Sequence, residues 1–321
     1  MKKIIIYGAG VYGRRVLESL RRKNVDVSFF VVTHKQNNIS YVDGIPVYSL
    51  SDLNIDSIIE YNIIVATNEL YFDEIKNSIK KNFGDLILNN VLFYKKSDID
   101  RLYRETHPFE IKSFLSSCEP VSRFFGNDRG TPIDRYYIEK FLERESNRLD
   151  ISGHILEVGD NRYSRLFFSQ CENDILDYSK GMDLTKPDTL PKNKYECFIC
   201  TQVFHQIYDV KRAIEGAYYL LKRNGILLAT VCGCVSKLAK NDEYEHFWGF
   251  TCASIERLIK SSFGNQVEIE PYGNAMAATA FIQGLSVEEI DSTLLENKDE
   301  EFVICISIVA RKTDERLEHN S

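Results

Sequence analysis

The chain has 321 residues, 44% of them apolar and 27% charged, with a formal net charge of −7. That length predicts about two domains, and the composition is that of a globular protein with ordinary buried cores. The acidic balance argues against a general nucleic-acid binder, which needs a basic face for phosphates, and no apolar run reaches the ~20 residues of a membrane span.

The opening MKKIIIYGAG does not read as a leader, because a basic pair precedes only a short apolar run before glycines open a turn. A cytoplasmic chain is therefore expected. Residues 3–7 read as a strand, Gly8-Ala9-Gly10-Val11-Tyr12-Gly13 as a turn, and the next stretch as a helix with Val16, Leu17 and Leu20 on one face. A strand over 25–32, a turn at Gly44-Ile45-Pro46-Val47, a strand over 61–67, a helix over 71–83 and a last short strand within 86–93 follow. This alternation predicts a small parallel sheet covered by helices, a Rossmann-like module over residues 1–95.

Gly8, Gly10 and Gly13 stand where a strand gives way to a helix, so backbone N–H groups and a helix N-terminus can face a diphosphate. A dinucleotide domain ends its second strand with an acidic residue for the ribose; this chain has Val32, Thr33 and His34 there. Three readings stay open: NAD, a sugar nucleotide or other anionic ligand, or glycines that only close a helix against a strand.

Residues 96–119 are charged and helical in pattern, broken at His107-Pro108. They read as a structured connector. Arg129-Gly130-Thr131-Pro132 is a turn leading into a helix over 133–147. A second domain over 120–312 and a polar tail over 313–321 complete the chain.

Within the second domain, residues 155–160 (ILEVGD) supply a short buried strand and a tight turn at Gly159. Asp177 ends the next strand, 18 residues after Gly159, close to the ~20 at which an acidic group meets ribose hydroxyls in doubly wound folds. A nucleoside-bearing cofactor across the carboxyl ends of a parallel sheet fits this pattern, and S-adenosylmethionine is the one it suggests. A strand over 196–201, a helix over 210–221 capped at Asn224-Gly225, a strand over 226–231, a helix over 254–263 and a closing antiparallel pair over 267–271 and 302–311 follow.

Eight cysteines are present. Cys197-x-x-Cys200 and Cys232-x-Cys234 have spacings that suggest zinc. Cys197 and Cys200, however, lie in the apolar run CFIC without a turn between them, where thiols act as small buried hydrophobes. No metal is expected.

From residue 120 to 312 the chain resembles a class I methyltransferase of the kind encoded with bacterial glycan-assembly enzymes. The matching stretches are PVSRFFGNDRGTPIDRYYIEKFL (120–142), ILEVGD (155–160), GMDLTKPDTLP (181–191), CTQVFHQIYDVKRAI (200–214), YLLKRNGILLATV (219–231), FWGFT (247–251) and YGNAMAATAF (272–281). The resemblance implies a mostly parallel seven-stranded sheet and a cofactor held by Glu157, Gly159, Asp177, Asp183, Thr201 and Gln202. Asp183 takes the adenine amine in this picture, and Thr201 and Gln202 flank the methionine part. The implied acceptor is a sugar or glycan, or a nucleotide sugar, methylated at oxygen in surface-polysaccharide biosynthesis. A homo-oligomer or a glycan-assembly partner is the implied company.

Methyl transfer to a hydroxyl needs alignment and a base. His205, just after the strand that ends at Thr201, is the base candidate, with an ordinary pKa near 6.5. Arg129, Asp134, Arg135 and Tyr136 form a polar-aromatic cluster that can wall the pocket, and His246, Trp248 and Tyr272 can face a sugar ring. Each of these also has an ordinary structural role to offer. Two rival readings are a non-catalytic scaffold of a glycan-assembly system and an NAD-linked oxidoreductase built on Gly8, Gly10 and Gly13.

Overall fold

The computed structural model describes residues 3–34, 40–108, 118–233 and 246–313. Contacts divide the chain into two units, Met1–Val121 with Asp128–Gly130, and Ser122–Asn127 with Thr131–Ser321.

The first unit is built on a six-stranded sheet. Its strands are β1 (Lys3–Tyr7), β2 (Val27–Val32), β3 (Tyr41–Val42), β4 (Ile45–Ser49), β5 (Tyr61–Val65) and β6 (Val91–Phe93), in the order β3-β4-β2-β1-β5-β6. All neighbours are parallel except the short β3–β4 hairpin. Alternation along the strands divides the apolar side chains between two cores. Ile5, Tyr7, Ile63 and Val65 join Ile75, Ile79 and Phe83 of helix α3 (Phe72–Phe83) on one face. Ile6 and Ile64 join Val16, Leu17 and Leu20 of helix α1 (Val11–Arg22) on the other. A short helix α2 (Ile55–Ile58) precedes β5. The segment read as a connector contributes helix α4 (Lys96–Thr106) to this unit. Ile99 enters the α1 core, Asp100 is buried against Arg15 at 3.2 Å and Lys96 at 2.6 Å, and the helix stops at His107. Residues 109–117 lie outside the described residues.

The second unit also has a six-stranded sheet, made by β7 (His154–Val158), β8 (Glu172–Leu176), β9 (Tyr195–Thr201), β10 (Leu221–Cys232), β11 (Val267–Tyr272) and β12 (Cys305–Arg311). Their order is β11-β12-β10-β9-β7-β8. Strands β8, β7, β9 and β10 run parallel, and β12 is antiparallel to both β10 and β11. The expected count of seven strands is corrected to six among the described residues. Among the described residues β8 and β11 are the edge strands, and the 183–191 stretch holds one turn of tight helix over Pro187–Thr189.

Helices α7 (Val210–Leu220) and α8 (Cys252–Phe263) cover one face, with Ala213, Ile214, Ala217, Ile255, Ile259 and Phe263 packed on Phe198, Leu227, Ala229 and Ile308. Helix α5 (Ile133–Arg148) buries Ile138, Phe141 and Leu142 and packs against β12. Two further helices, α6 (Arg162–Phe167) and α9 (Ala275–Gln283), have no counterpart in the sequence reading.

Asn224-Gly225 does not cap α7. The helix ends at Leu220 and the chain enters β10 at once. Asn224 instead takes a left-handed φ of 63° where the β9–β10 register shifts, and there its N–H is bonded to the Lys312 carbonyl. No helix among the described residues is long and apolar enough to cross a membrane.

Candidate functional site

Parallel strands place their carboxyl ends together, and here that edge comprises the residues after β7, β8, β9 and β10, with the start of β12 opposite Cys232. After β7 the chain turns at Gly159 with φ +81°, a conformation that favours glycine, and no atom lies within 4 Å of where a Cβ would stand. The glycine therefore keeps both the turn and the space beside it. Its N–H donates to the Leu176 carbonyl at the end of β8, 3.0 Å away.

Glu157, only 3% exposed, explains how the turn is held. Its carboxylate accepts the N–H of Tyr163 at 3.1 Å and of Ser164 at 2.8 Å, in the first turn of α6. Burial pushes its pKa up, against the opposing pull of these bonds. These bonds go to that turn and fix the loop between β7 and α6.

Asp177 follows β8 and its Oδ1 accepts the Ser179 N–H at 2.9 Å and hydroxyl at 2.6 Å, with Lys180 3.3 Å from Oδ2. The Ser179 hydroxyl, then Lys180, hold its carboxyl below the usual range. Asp183 has the same design. Thr185 donates through N–H (2.9 Å) and hydroxyl (2.8 Å) to Oδ1, and Lys186 sits 3.0 Å from Oδ2. Burial presses its pKa upward, but the Thr185 bonds and Lys186 outweigh it. Both residues are therefore ionised at neutral pH, each with one oxygen engaged in its own turn.

Thr201 ends β9, and Gln202 turns the chain with φ +56°. The Gln202 N–H donates to the Thr230 carbonyl at 2.8 Å, and its side-chain amide reaches the buried Cys305 sulfur at 3.7 Å. His205 lies in the tight turn Phe204–Gln206 and is 2% exposed. Burial, then the neighbouring His246 ring 4.7 Å away, lowers its pKa to about 4, well below the ordinary value expected from sequence. The imidazole is thus neutral at pH 7 and its Nδ1 has no hydrogen-bond partner among the described residues. Its backbone carbonyl accepts the N–H groups of Phe247 and Trp248, which fastens the 246–250 segment over the turn. The Trp248 indole donates to the Ile207 and Tyr208 carbonyls, and Tyr208, 73% exposed, stacks beside Trp248 at 6.2 Å.

The polar cluster before the sheet divides. Arg129 belongs to the first unit, where it is buried and donates to the His107 carbonyl at 2.7 Å. Asp134, Arg135 and Tyr136 belong to the second unit, in the first turn of α5. Arg135 donates to the Tyr163 hydroxyl, and Tyr136 donates to Glu296, which helps to raise the phenol to about 12 after burial. Tyr272 ends β11; its hydroxyl donates to Glu270 at 2.7 Å and its ring lies 5.5 Å from Tyr137. Tyr137 and Tyr272 line a pocket of about 340 Å³ with Lys140, Arg144, Glu296 and Lys298.

Cys197 and Cys200 are both buried in β9. Their odd spacing in an extended strand places them on opposite faces of the sheet, where they cannot share an ion. Cys234 lies outside the described residues. In the first unit, the three glycines have distinct settings. A Cβ on Gly8 (φ +108°) would meet the Ala66 carbonyl at 2.6 Å, and one on Gly13 the Gly8 carbonyl at 1.8 Å, whereas beside Gly10 there is nothing within 4 Å. Thr33, where an acid is absent, bonds to the Tyr7 hydroxyl at 2.7 Å.

The structure also brings Cys305, Tyr163 and Tyr208 beside the residues expected at this edge, which the sequence reading did not place there. The first two come from distant strands and helices with no motif of their own. Tyr208 carried one signal, a large aromatic in a polar turn next to His205.

A family model described as C2185-like, N-terminal, matches residues 1–84. No curated protein matches the chain. The chain is similar to a SAM-dependent methyltransferase from Archaeoglobus fulgidus, at 11% identity over 56% of this chain and 94% of that one, with a TM-score of 0.40. It is similar to an S-adenosylmethionine-dependent methyltransferase from Mesorhizobium loti, at 14% identity over 56% and 98% of the two chains, with a TM-score of 0.38. It is also similar to phosphoethanolamine N-methyltransferase 2 from Haemonchus contortus, in complex with S-adenosyl-L-methionine, at 10% identity over 97% and 94%, with a TM-score of 0.37.

Proposed function

We propose that the second unit is an S-adenosylmethionine-dependent methyltransferase that methylates a hydroxyl of a sugar in bacterial surface-glycan biosynthesis. One observation carries the cofactor. The open Gly159 turn and the ionised Asp177 stand at the carboxyl ends of the adjacent parallel strands β7 and β8. That is where a doubly wound sheet binds nucleosides, with the acid on the ribose. Glu157 fixes the turn, Asp177 offers Oδ2 to ribose hydroxyls, and Asp183 offers an acceptor to an exocyclic amine. Thr201 and Gln202 stand toward the methionine end.

A bound S-adenosylmethionine supplies a methyl group on a sulfonium. The protein's part is to orient the acceptor hydroxyl and take its proton, which falls to the neutral His205 imidazole, whose Nδ1 has no hydrogen-bond partner among the described residues. Trp248, Tyr208 and His246 offer aromatic faces beside it, suited to the CH surface of a pyranose. In the first unit, the open space at Gly10 suits the diphosphate of a sugar nucleotide, and Thr33 in place of an acid weighs against NAD. Residues 1–95, 96–119 and 120–312 are proposed as nucleotide module, connector and catalytic domain.

Incubation of the full chain with S-adenosylmethionine and a panel of nucleotide sugars and surface glycans, followed by mass spectrometry, tests the reading. A methylated sugar is the expected product. Wild-type protein that binds the cofactor but methylates only non-sugar acceptors would overturn the sugar assignment.

The self-satisfied turns of Asp177 and Asp183, each already holding a lysine, favour the second reading, a non-catalytic scaffold. Cofactor titration separates the two, because a scaffold binds neither S-adenosylmethionine nor S-adenosylhomocysteine.

A further inference from the structure

We propose that Tyr208, Phe247 and Trp248 form a platform for the second residue of a neutral glycan chain, so that the acceptor is an oligosaccharide or longer glycan and not a nucleotide sugar. The inference rests on the sugar-acceptor reading above and narrows it.

The three rings meet at the surface. The Tyr208 ring lies 5.5 Å from Phe247, edge to face, and 6.2 Å from Trp248, nearly parallel. Tyr208 is mostly exposed, and Phe247 and Trp248 are 41% and 39% exposed. Apolar side chains scattered singly over a surface need no explanation, but three that touch and stay uncovered mark a contact area. Backbone bonds hold them in place. The His205 carbonyl accepts the N–H of Phe247 at 2.9 Å and of Trp248 at 3.2 Å, and the Trp248 indole donates to the Ile207 carbonyl at 3.0 Å and the Tyr208 carbonyl at 3.2 Å. The platform is therefore preformed, and a ligand that settles on it spends little free energy on ordering side chains.

The same bonds tie the platform to the proposed base. From His205, which is buried, to Tyr208 the chain passes in three residues from a closed setting to open solvent. A sugar whose hydroxyl reaches the His205 imidazole sits inward. The rings farther out are left for the residue bonded to it, which a lone monosaccharide lacks.

Aromatic faces accept the CH surface of a pyranose and the base of a nucleotide alike, so charge decides between them. Tyr208 immediately precedes Asp209, the N-cap of α7. A diphosphate there would gain from free N–H groups and the helix dipole. That place is taken: Asp209 Oδ1 accepts the Arg212 N–H at 3.2 Å, and Oδ2 lies 3.4 Å from the Arg212 guanidinium. Of the two cations in that first turn, Lys211 and Arg212, one is thus already engaged. A carboxylate at the head of the helix repels a phosphate and leaves a neutral sugar unaffected.

Trp248 is the only tryptophan of the chain, so its fluorescence reports on the platform directly. The full chain is titrated with neutral oligosaccharides of graded length released from bacterial surface polysaccharides, from single sugars upward, and with UDP-glucose. Affinity is expected to rise about tenfold from a monosaccharide to a trisaccharide, the order set by covering one aromatic face, with UDP-glucose no better than the monosaccharide. Tyr208→Ala and Phe247→Ala should each remove most of that gain, and Tyr208→Phe, which keeps the ring, should retain it. S-adenosylmethionine affinity and the circular dichroism spectrum should stay as in the wild type, which certifies the fold of each variant. Equal affinity for short and long sugars, tighter binding of UDP-glucose, or a gain from length that survives Tyr208→Ala would overturn the proposal and leave the sugar reading standing. No response to any sugar from wild type that binds the cofactor would remove both. A dimer that Tyr208→Ala dissociates, with no response to sugars, would assign the rings to a second copy of the chain and overturn the proposal as well.

Discussion

Replacing Glu157 by alanine tests how the Gly159 loop is held. The wild-type carboxylate is nearly inaccessible and accepts two backbone N–H groups, from Tyr163 and Ser164. Alanine leaves both donors at the start of α6 without an acceptor, at about 1–3 kcal/mol each. Against this stands the burial of the charge, which raises the Glu157 pKa and offsets part of the gain. The net expectation for Glu157→Ala is a loss of about 2–4 kcal/mol, and for Glu157→Gln, which keeps one acceptor oxygen, about half of that. Guanidinium denaturation of the full chain, followed by fluorescence and circular dichroism, measures the loss. The sign with pH is fixed by the raised pKa: the glutamate's contribution is most favourable below the unfolded carboxyl range and declines as pH rises through the folded value. The wild-type minus alanine difference should therefore be larger at pH 4 than at pH 8. An alanine variant within 0.5 kcal/mol of wild type, a margin typical of surface changes, would refute the clamp.

Four further outcomes are expected. Asp177→Ala should weaken S-adenosylmethionine at least about tenfold, as expected for losing a hydrogen bond to a charged group, and should lower the melting temperature only slightly through the lost Ser179 cap; full-strength binding would move the ribose elsewhere. His205→Ala should lower turnover on a sugar acceptor by roughly 10²–10⁴ with cofactor affinity intact. Because the folded His205 pKa is lowered to about 4, the unfolded chain binds the proton first, so His205 should make stability fall between pH 6.5 and 4, by about 3 kcal/mol over that window; a His205→Gln variant with an identical stability profile would contradict this. Gly13→Ala should destabilise the first unit by about 1–3 kcal/mol or more through its contact with the Gly8 carbonyl, whereas Gly10→Ala should fold normally, and equal denaturation midpoints for the two would count against the packing role of Gly13.

The sheets were legible in the sequence because buried parallel strands are written as short apolar runs, such as IIIY, NIIV, HILEV and CFICT. Helices α1, α3, α7 and α8 followed from apolar residues at helical spacing. Helix α6 did not, because the six residues RYSRLF are too few to show a period. Asn224-Gly225 carried a helix-stop signal that the tertiary structure used differently: Asn224 is bonded to Lys312 across the sheet end, and the left-handed residue serves a strand irregularity. In the site, the positions of Gly159 and Asp177 could be read from strand ends and spacing. The work of Glu157 could not, since it acts largely through the backbone N–H groups of Tyr163 and Ser164, which any sequence would supply. Nor could the neutral state of His205, which depends on burial and on His246 41 residues away. The seventh strand was inherited from the resemblance, whereas the apolar runs of the second domain themselves mark six.

The most direct test of the account is a calorimetric titration of the full-length wild type with S-adenosylmethionine, repeated with Asp177→Ala and, as a control in the other unit, Gly10→Ala. Saturable one-site binding that weakens in Asp177→Ala and is unchanged in Gly10→Ala is the result predicted. No heat from folded wild-type protein, or binding that Asp177→Ala leaves intact and Gly10→Ala abolishes, would contradict it.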